Sequence, residues 1–275
     1  MKVDAHQHFW RLDDPGRDWP APSLAPLYRD FTPHDLAPLL QAHGIERTVL
    51  VQSLPIEADT LALLELADDH DFIGAVVGWT DLEAADAPQR IARLAARPKL
   101  RGLRPMLQDM ADESWLDDPA IEPAVRAMIA HGLVFDALVR PRQLPMLLRF
   151  ARRFPELPIV IDHAAKPDLA SGSIDAWRTG MQLLSRLPNV ACKLSGLVTE
   201  AAQGWTVQDL QPCVADLLAW FGPRQLLWGS DWPVLNLAAD YGRWLAACEA
   251  MLGHLDMEAR AAVFGVNACR IYRLT

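Results

Sequence analysis

Short apolar runs rich in β-branched residues alternate with helix-period patterns from one end of the chain to the other. The runs Val3–Phe9, Arg47–Ser53, Phe72–Thr80, Leu100–Leu107, Leu133–Val139, Pro158–Ala164, Val190–Gly196 and Gln225–Pro233 are predicted to be strands. Helices are predicted near Pro33–His43, Ala58–His70, Ala87–Ala96, Ala120–His131, Gln143–Phe154, Ile174–Leu187, Val207–Phe221 and Ala239–Leu252, with a terminal one over Met257–Tyr272. Runs such as TVLVQS and PIVIDHA are almost continuously apolar, as parallel strands buried on both faces require. Thr32 followed by Pro33 reads as an N-cap with proline in the first turn. Gly44, Gly132 and Gly222 stand where helix C-caps belong, and Asp117-Asp118-Pro119 is a helix entry. Eight strand–helix units make a (β/α)8 TIM barrel with a C-terminal helix, one domain over residues 1–275. A doubly wound open sheet is the alternative, but it uses fewer strands, and no GxGxxG follows the first one.

Composition narrows the partners. The 275 residues are 51% hydrophobic, enough for a large core, and the net charge of -9 argues against nucleic acid and against an anionic membrane. No uncharged apolar run approaches membrane-spanning length. The first strand starts at residue 2, so no signal peptide is expected. Cys192, Cys213, Cys248 and Cys269 lack CxxC spacing and read as reduced thiols of a cytoplasmic protein.

Polar residues gather where the predicted strands end, and in this fold the C-terminal strand ends carry the active site. They are His6 and His8, Gln52, Trp79 and Asp81, Arg104, Arg140 after Asp136, Asp162-His163, Lys193 and Ser195, and Asp231-Trp232. Two histidines one residue apart on a strand share a face and can bind a metal, polarise a carbonyl or simply pack. Asp231, after the apolar LLWGS, is the strongest candidate for chemistry. Asp162 reads as a loop cap, and Trp10, Trp79 and Trp232 read either as core or as flat pocket walls. His34, His43, His70, His131 and His254 fall in or beside helices and read as structural or solvent-facing.

The segments DAHQHFW, LRGLRPMLQD, IDHAAKPD and LLWGSDWPV together resemble the amidohydrolase superfamily. The likeness is to its lactonase branch of L-fuconolactonases, L-rhamnonolactonases, sulfomuconolactone hydrolases and pyrone-dicarboxylate lactonases. The resemblance implies a hydrolase opening a lactone ring, with Asp231, His6, His8 and His163 catalytic and Arg104 touching substrate. Strand 4 has no lysine to bridge two metals and strand 5 no histidine, so the expectation is one zinc on His6, His8, His163 and Asp231, or metal-independent catalysis. Lys193, Gln52, Trp79 and Trp232 are further substrate-binding candidates. Arg101 and Arg104 fall on opposite faces of their strand, so one arginine enters the barrel. This favours a sugar lactone such as L-fucono- or L-rhamnonolactone over a dicarboxylate or muconolactone. The other readings are a metal-dependent aromatic-acid decarboxylase of the same superfamily and a non-catalytic barrel binding a sugar acid or metal. Asp231 as general base implies that the acid limb of activity reports its ionisation. The expected partner is a small-molecule lactone, with a homo-oligomer left open.

Overall fold

A computed structural model describes residues 1–274. Eight parallel strands lie in chain order around one sheet: β1 Lys2–Gln7, β2 Ile45–Val51, β3 Ile73–Gly78, β4 Leu100–Leu103, β5 Val134–Ala137, β6 Ile159–Ile161, β7 Val190–Leu194 and β8 Leu226–Trp228. The helices are α1 Pro33–His43, α2 Glu57–Asp69, α3 Ala87–Ala95, α4 Glu122–Ala130, α5 Leu144–Arg153, α6 Asp175–Leu184, the short α7 Leu197–Glu200, α8 Val207–Phe221, α9 Tyr241–Met251, α10 Met257–Ala261 and α11 Asn267–Tyr272. The ring closes where the Asp231 amide donates to the His6 carbonyl (2.8 Å) and the His8 amide to that of Trp232 (2.8 Å). This is the (β/α)8 barrel that the eight apolar runs imply. Every strand ends before its run does, because the C-terminal end of each run curls into a loop and carries its polar residues over the mouth. Among the described residues no helix is long and apolar enough to cross a membrane.

The terminal segment is one helix interrupted by a π-turn over Ala262–Val266, which joins α10 to α11. Ala268 and Tyr272 of α11 close the lower end of the barrel against Val3, Ala5, Val49, Val51, Ala75, Val77, Val134, Val160, Ala191 and Leu227. Small and β-branched residues fill this layer, leaving the wider upper end to polar groups. Local caps form as predicted. The Asp35 carboxylate accepts from the Thr32 amide (2.8 Å) and hydroxyl (2.7 Å). Gly44 ends α1 in the left-handed region (φ 65).

The π-turn passes so close to the first strand that a Cβ on Gly265 would lie 2.1 Å from the Met1 carbonyl oxygen. Since backbone on both sides must shift to admit it, Gly265→Ala is expected to cost about 1–3 kcal/mol, the usual range for overpacking. The urea midpoint of the purified variant measures this, and an unaltered midpoint would show that the terminal helix is free to move.

Candidate active site

The four candidate catalytic side chains converge at the mouth. Asp231 Oδ1 lies 3.5 Å from His8 Nε2, 3.8 Å from His163 Nε2 and 3.9 Å from His6 Nε2. His6 and His8 meet Nε2 to Nε2 at 3.1 Å. Simple alternation would put Asp4 and His6 on one face, but the β1–β2 register shifts between Asp4 and Gln7. Across that irregularity Asp4 points outward to the Tyr241 hydroxyl on α9 (2.9 Å), while His6 points into the barrel. Asp4 also accepts from the amides of His6 (3.1 Å) and Ser230 (2.8 Å), tying β1 to the segment that carries Asp231. Burial pushes the Asp4 carboxyl up to about 6, against the lowering effect of these bonds.

Two of the four sit on left-handed backbone. Asp231 has φ 60, and residues 163–166 form a turn with φ 50, 50, 58 and 51. Non-glycine residues rarely adopt this region, and such strain concentrates at functional sites. The turn swings His163 off β6 to face Asp231. It packs against Gly196, itself left-handed (φ 65), where a Cβ would approach the imidazole to 2.7 Å.

Partners on the far ring nitrogens set what each imidazole offers. His8 Nδ1 donates to the Val51 carbonyl (2.8 Å), which leaves an Nε2 lone pair facing the site. His163 Nδ1 meets the Ser195 hydroxyl (2.9 Å), a partner able to donate or accept. His6 Nδ1 lies between the Lys193 ammonium (3.1 Å), a donor, and Asp162 (3.4 Å), an acceptor. Burial, with the Lys193 charge adding to it, holds His6 well below the ordinary histidine range. Burial lowers His163 to about 4, opposed by Asp231 and Asp162. Burial alone would raise Asp231, but the His163, His8 and His6 rings outweigh it and hold this carboxyl well below its ordinary value. Asp231 is therefore ionised throughout the working range, and the expectation that the acid limb reports it gives way to one centred on the histidines.

Beneath lies a fully buried ionic layer. Lys193 Nζ lies 2.5 Å from Asp136 Oδ2 and 2.9 Å from Asp162 Oδ1, and all three side chains are fully buried. Arg104 Nη1 reaches Asp162 Oδ2 (3.3 Å) and His6 Nε2 (3.4 Å), Nη2 donates to the Gln52 carbonyl (2.5 Å), and Tyr272 donates to Asp136 (2.9 Å). Asp162 is no loop cap: as the shared counter-ion of Lys193 and Arg104 it supports the site from below.

Above is a cavity of about 430 Å³ lined by His8, His163, Asp231 and Arg104 among others. Four substrate-binding candidates do not line it. Lys193 is buried in the ionic layer. Gln52 donates to the Arg104 carbonyl (2.9 Å). Trp79 is clamped through its backbone by the Thr60 hydroxyl. Trp232 packs edge-on against Phe9 and Phe31. The cavity is walled instead by Asp18 and Trp19 from loop 8–32, by Met106, Gln108 and Asp109 from the loop after β4, and by Lys166. The sequence signal for the first pair was the length of loop 8–32, since long barrel loops usually form sites.

The donor set fits one cation. Ligand atoms of His6, His163 and Asp231 lie within 4.8 Å of one another, and among the described residues there is no second such group. The 3.5–3.9 Å spacing of imidazole nitrogens from Asp231 is slightly wider than the separation of about 3.3 Å expected around tetrahedral zinc. The strand-5 group that might serve a second ion, Asp136, is committed to Lys193 and Tyr272.

The sequence matches the amidohydrolase family over residues 3–274. It is 55% identical to an L-fucono-1,5-lactonase of Burkholderia ambifaria, covering 100% of this chain and 96% of the relative. It is 40% identical to an L-fucono-1,5-lactonase of Burkholderia multivorans, again covering 100% and 96%. A crystal structure of a Burkholderia multivorans amidohydrolase with bound zinc superimposes with a TM-score of 0.95 at 38% identity over 100% of both chains.

Isothermal titration with zinc is expected to show one site per chain. His163→Ala should weaken it by about 10-fold or more, since removing a ligand costs at least as much as removing a ligand's outer support. Two tight sites per chain would contradict this geometry.

Proposed function

The chain belongs to the amidohydrolase family, and we propose that it is a lactonase hydrolysing a six-membered lactone of a sugar acid, with Asp231 as the general base. The observation carrying this reading is a single ionised carboxylate ringed by three imidazoles on the floor of a ligand-sized cavity. The full-length likeness to two L-fucono-1,5-lactonases supports the substrate class.

Opening a lactone requires an activated water, a polarised carbonyl and a protonated leaving oxygen. Asp231 accepts the proton of a water held at its Oδ1 as the water oxygen bonds to the carbonyl carbon. The developing oxyanion needs donors that are already in place. Arg104 supplies one, since its Nε has no partner. His163 supplies another when Ser195 donates to Nδ1 and Nε2 carries the hydrogen. When the tetrahedral carbon expels the ring oxygen, Asp231 returns its proton to that oxygen, giving the hydroxy acid. His6, His163 and Asp231 would hold a single divalent cation, whose chemistry is to polarise the carbonyl and acidify water. Ser195 and the Lys193–Asp162 pair serve that arrangement as well as the metal-free one, because they can satisfy either tautomer of His163 and His6.

Asp231→Asn keeps size and hydrogen bonding but cannot accept the proton. On L-fucono-1,5-lactone kcat should fall by about 10²-fold or more, with KM and melting temperature little changed. A folded variant with near-normal kcat would refute the assignment. Because His163 takes up its proton near 4, the ring stays neutral as pH falls through the ordinary histidine range and is lost only below it. The acid limb of kcat/KM should therefore centre near pH 4. A limb centred near 6.5, the unperturbed histidine value, would show that His163 does not set it.

A further inference from the structure

We propose that Gln108 and Asp18 determine specificity by accepting hydrogen bonds from hydroxyls on the lactone ring, and that Trp19 provides the face on which the ring lies. This rests on the sugar-lactone reading above.

The argument is a balance of donors and acceptors in one cavity. Gln108 Nε2 donates to Asp109 Oδ2 (3.3 Å), which fixes the orientation of the amide. Its Oε1 is then a buried acceptor without a partner. Such atoms are rare in folded proteins because they lose water and gain nothing. A site built to receive a hydroxyl explains one. The Asp18 carboxylate is exposed at the same cavity and, among the described residues, takes part in no side-chain hydrogen bond or ion pair. Asp18 stands in loop 8–32 and Gln108 in the short 3-10 turn Leu107–Asp109 after β4.

The cations of the cavity are already paired, apart from the Arg104 Nε assigned above to the oxyanion. The Nη atoms of Arg104 are bonded to Asp162 and to the Gln52 carbonyl. Lys166 Nζ stands 3.7 Å from Glu200. Three lining carboxylates, Asp18, Asp109 and Asp231, face these two cations. A substrate with additional carboxylates would meet acceptors where it needs donors, whereas a neutral polyhydroxy ring supplies the missing hydrogens. Trp19 is half-buried and set edge-on against Trp10 (centroids 5.2 Å apart). An indole at that wall suits the apolar C–H face of a sugar ring.

The test compares L-fucono-1,5-lactone with δ-valerolactone, the same ring without hydroxyls, for wild type, Gln108→Leu, Gln108→Glu and Asp18→Asn. Gln108→Leu should lower the ratio of kcat/KM for the sugar lactone over δ-valerolactone by about tenfold to a hundredfold, the size of one lost buried hydrogen bond. The loss should fall mainly on KM. Gln108→Glu, which keeps an acceptor, should restore most of the ratio, and Asp18→Asn should lower it by a smaller factor. Measuring both substrates on each preparation removes any loss of folded protein from the comparison. An active wild type whose ratio is unaltered in Gln108→Leu and Asp18→Asn overturns the hydroxyl assignment alone. A wild type inactive on the sugar lactone but active on a pyrone dicarboxylate overturns the underlying reading, and this inference with it.

Discussion

A lysine sealed inside the barrel is the constraint around which the catalytic end is built. An ammonium without water is tolerable only if opposite charge surrounds it. Asp136 from β5 and Asp162 from the end of β6 supply that charge to Lys193 of β7. Arg104, after β4, brings the layer to two positive and two negative charges. His6 is wedged between Lys193 and Asp162. Removing one member of such a set leaves a buried charge unmatched, which typically costs about 3–5 kcal/mol, so strands 4 to 7 and the first histidine are held in a single arrangement. Tyr272 extends that arrangement to the last helix by donating to Asp136.

Upon this layer the candidate catalytic groups are placed by strained backbone. His163 and Asp231 both occupy the left-handed region. Neither position could be maintained by a flexible loop. Gly196 packs against the imidazole, and Asp4 grips the amide of Ser230 beside Asp231. The ring closure between β1 and the β8 segment runs through the Asp231 amide itself. The same hydrogen bonds that complete the barrel thus position its candidate base. Burial keeps the His6 and His163 imidazoles neutral, and the neighbouring rings hold Asp231 ionised against the effect of burial.

The rest of the cavity is built by a different part of the chain. The cavity wall beyond the candidate catalytic groups comes largely from loop 8–32 and from the loop after β4, so its lining can change with little effect on the packed layers below.

The sequence by itself determined the barrel. Eight apolar runs with helix patterns between them leave few other architectures, because runs apolar on both faces must be covered on both sides. It also determined which groups meet, since strand-end residues of a parallel barrel all arrive at one mouth, and His6, His8, His163 and Asp231 do so. What it could not show is how each side chain is aimed. The register shift after Asp4, the left-handed turn at His163 and the exclusion of Lys193 from water depend on contacts between residues far apart in the chain. Asp162 and Lys193 look like independent strand-end polar groups until the fold sets them 2.9 Å apart. Gln52 and Trp232 likewise sit at the right strand ends but are buried against neighbouring elements, and Trp79 is held there by its backbone without lining the cavity. Trp19 and Gln108, in irregular loops with no periodicity to read, form the cavity only because the tertiary fold brings those loops over it.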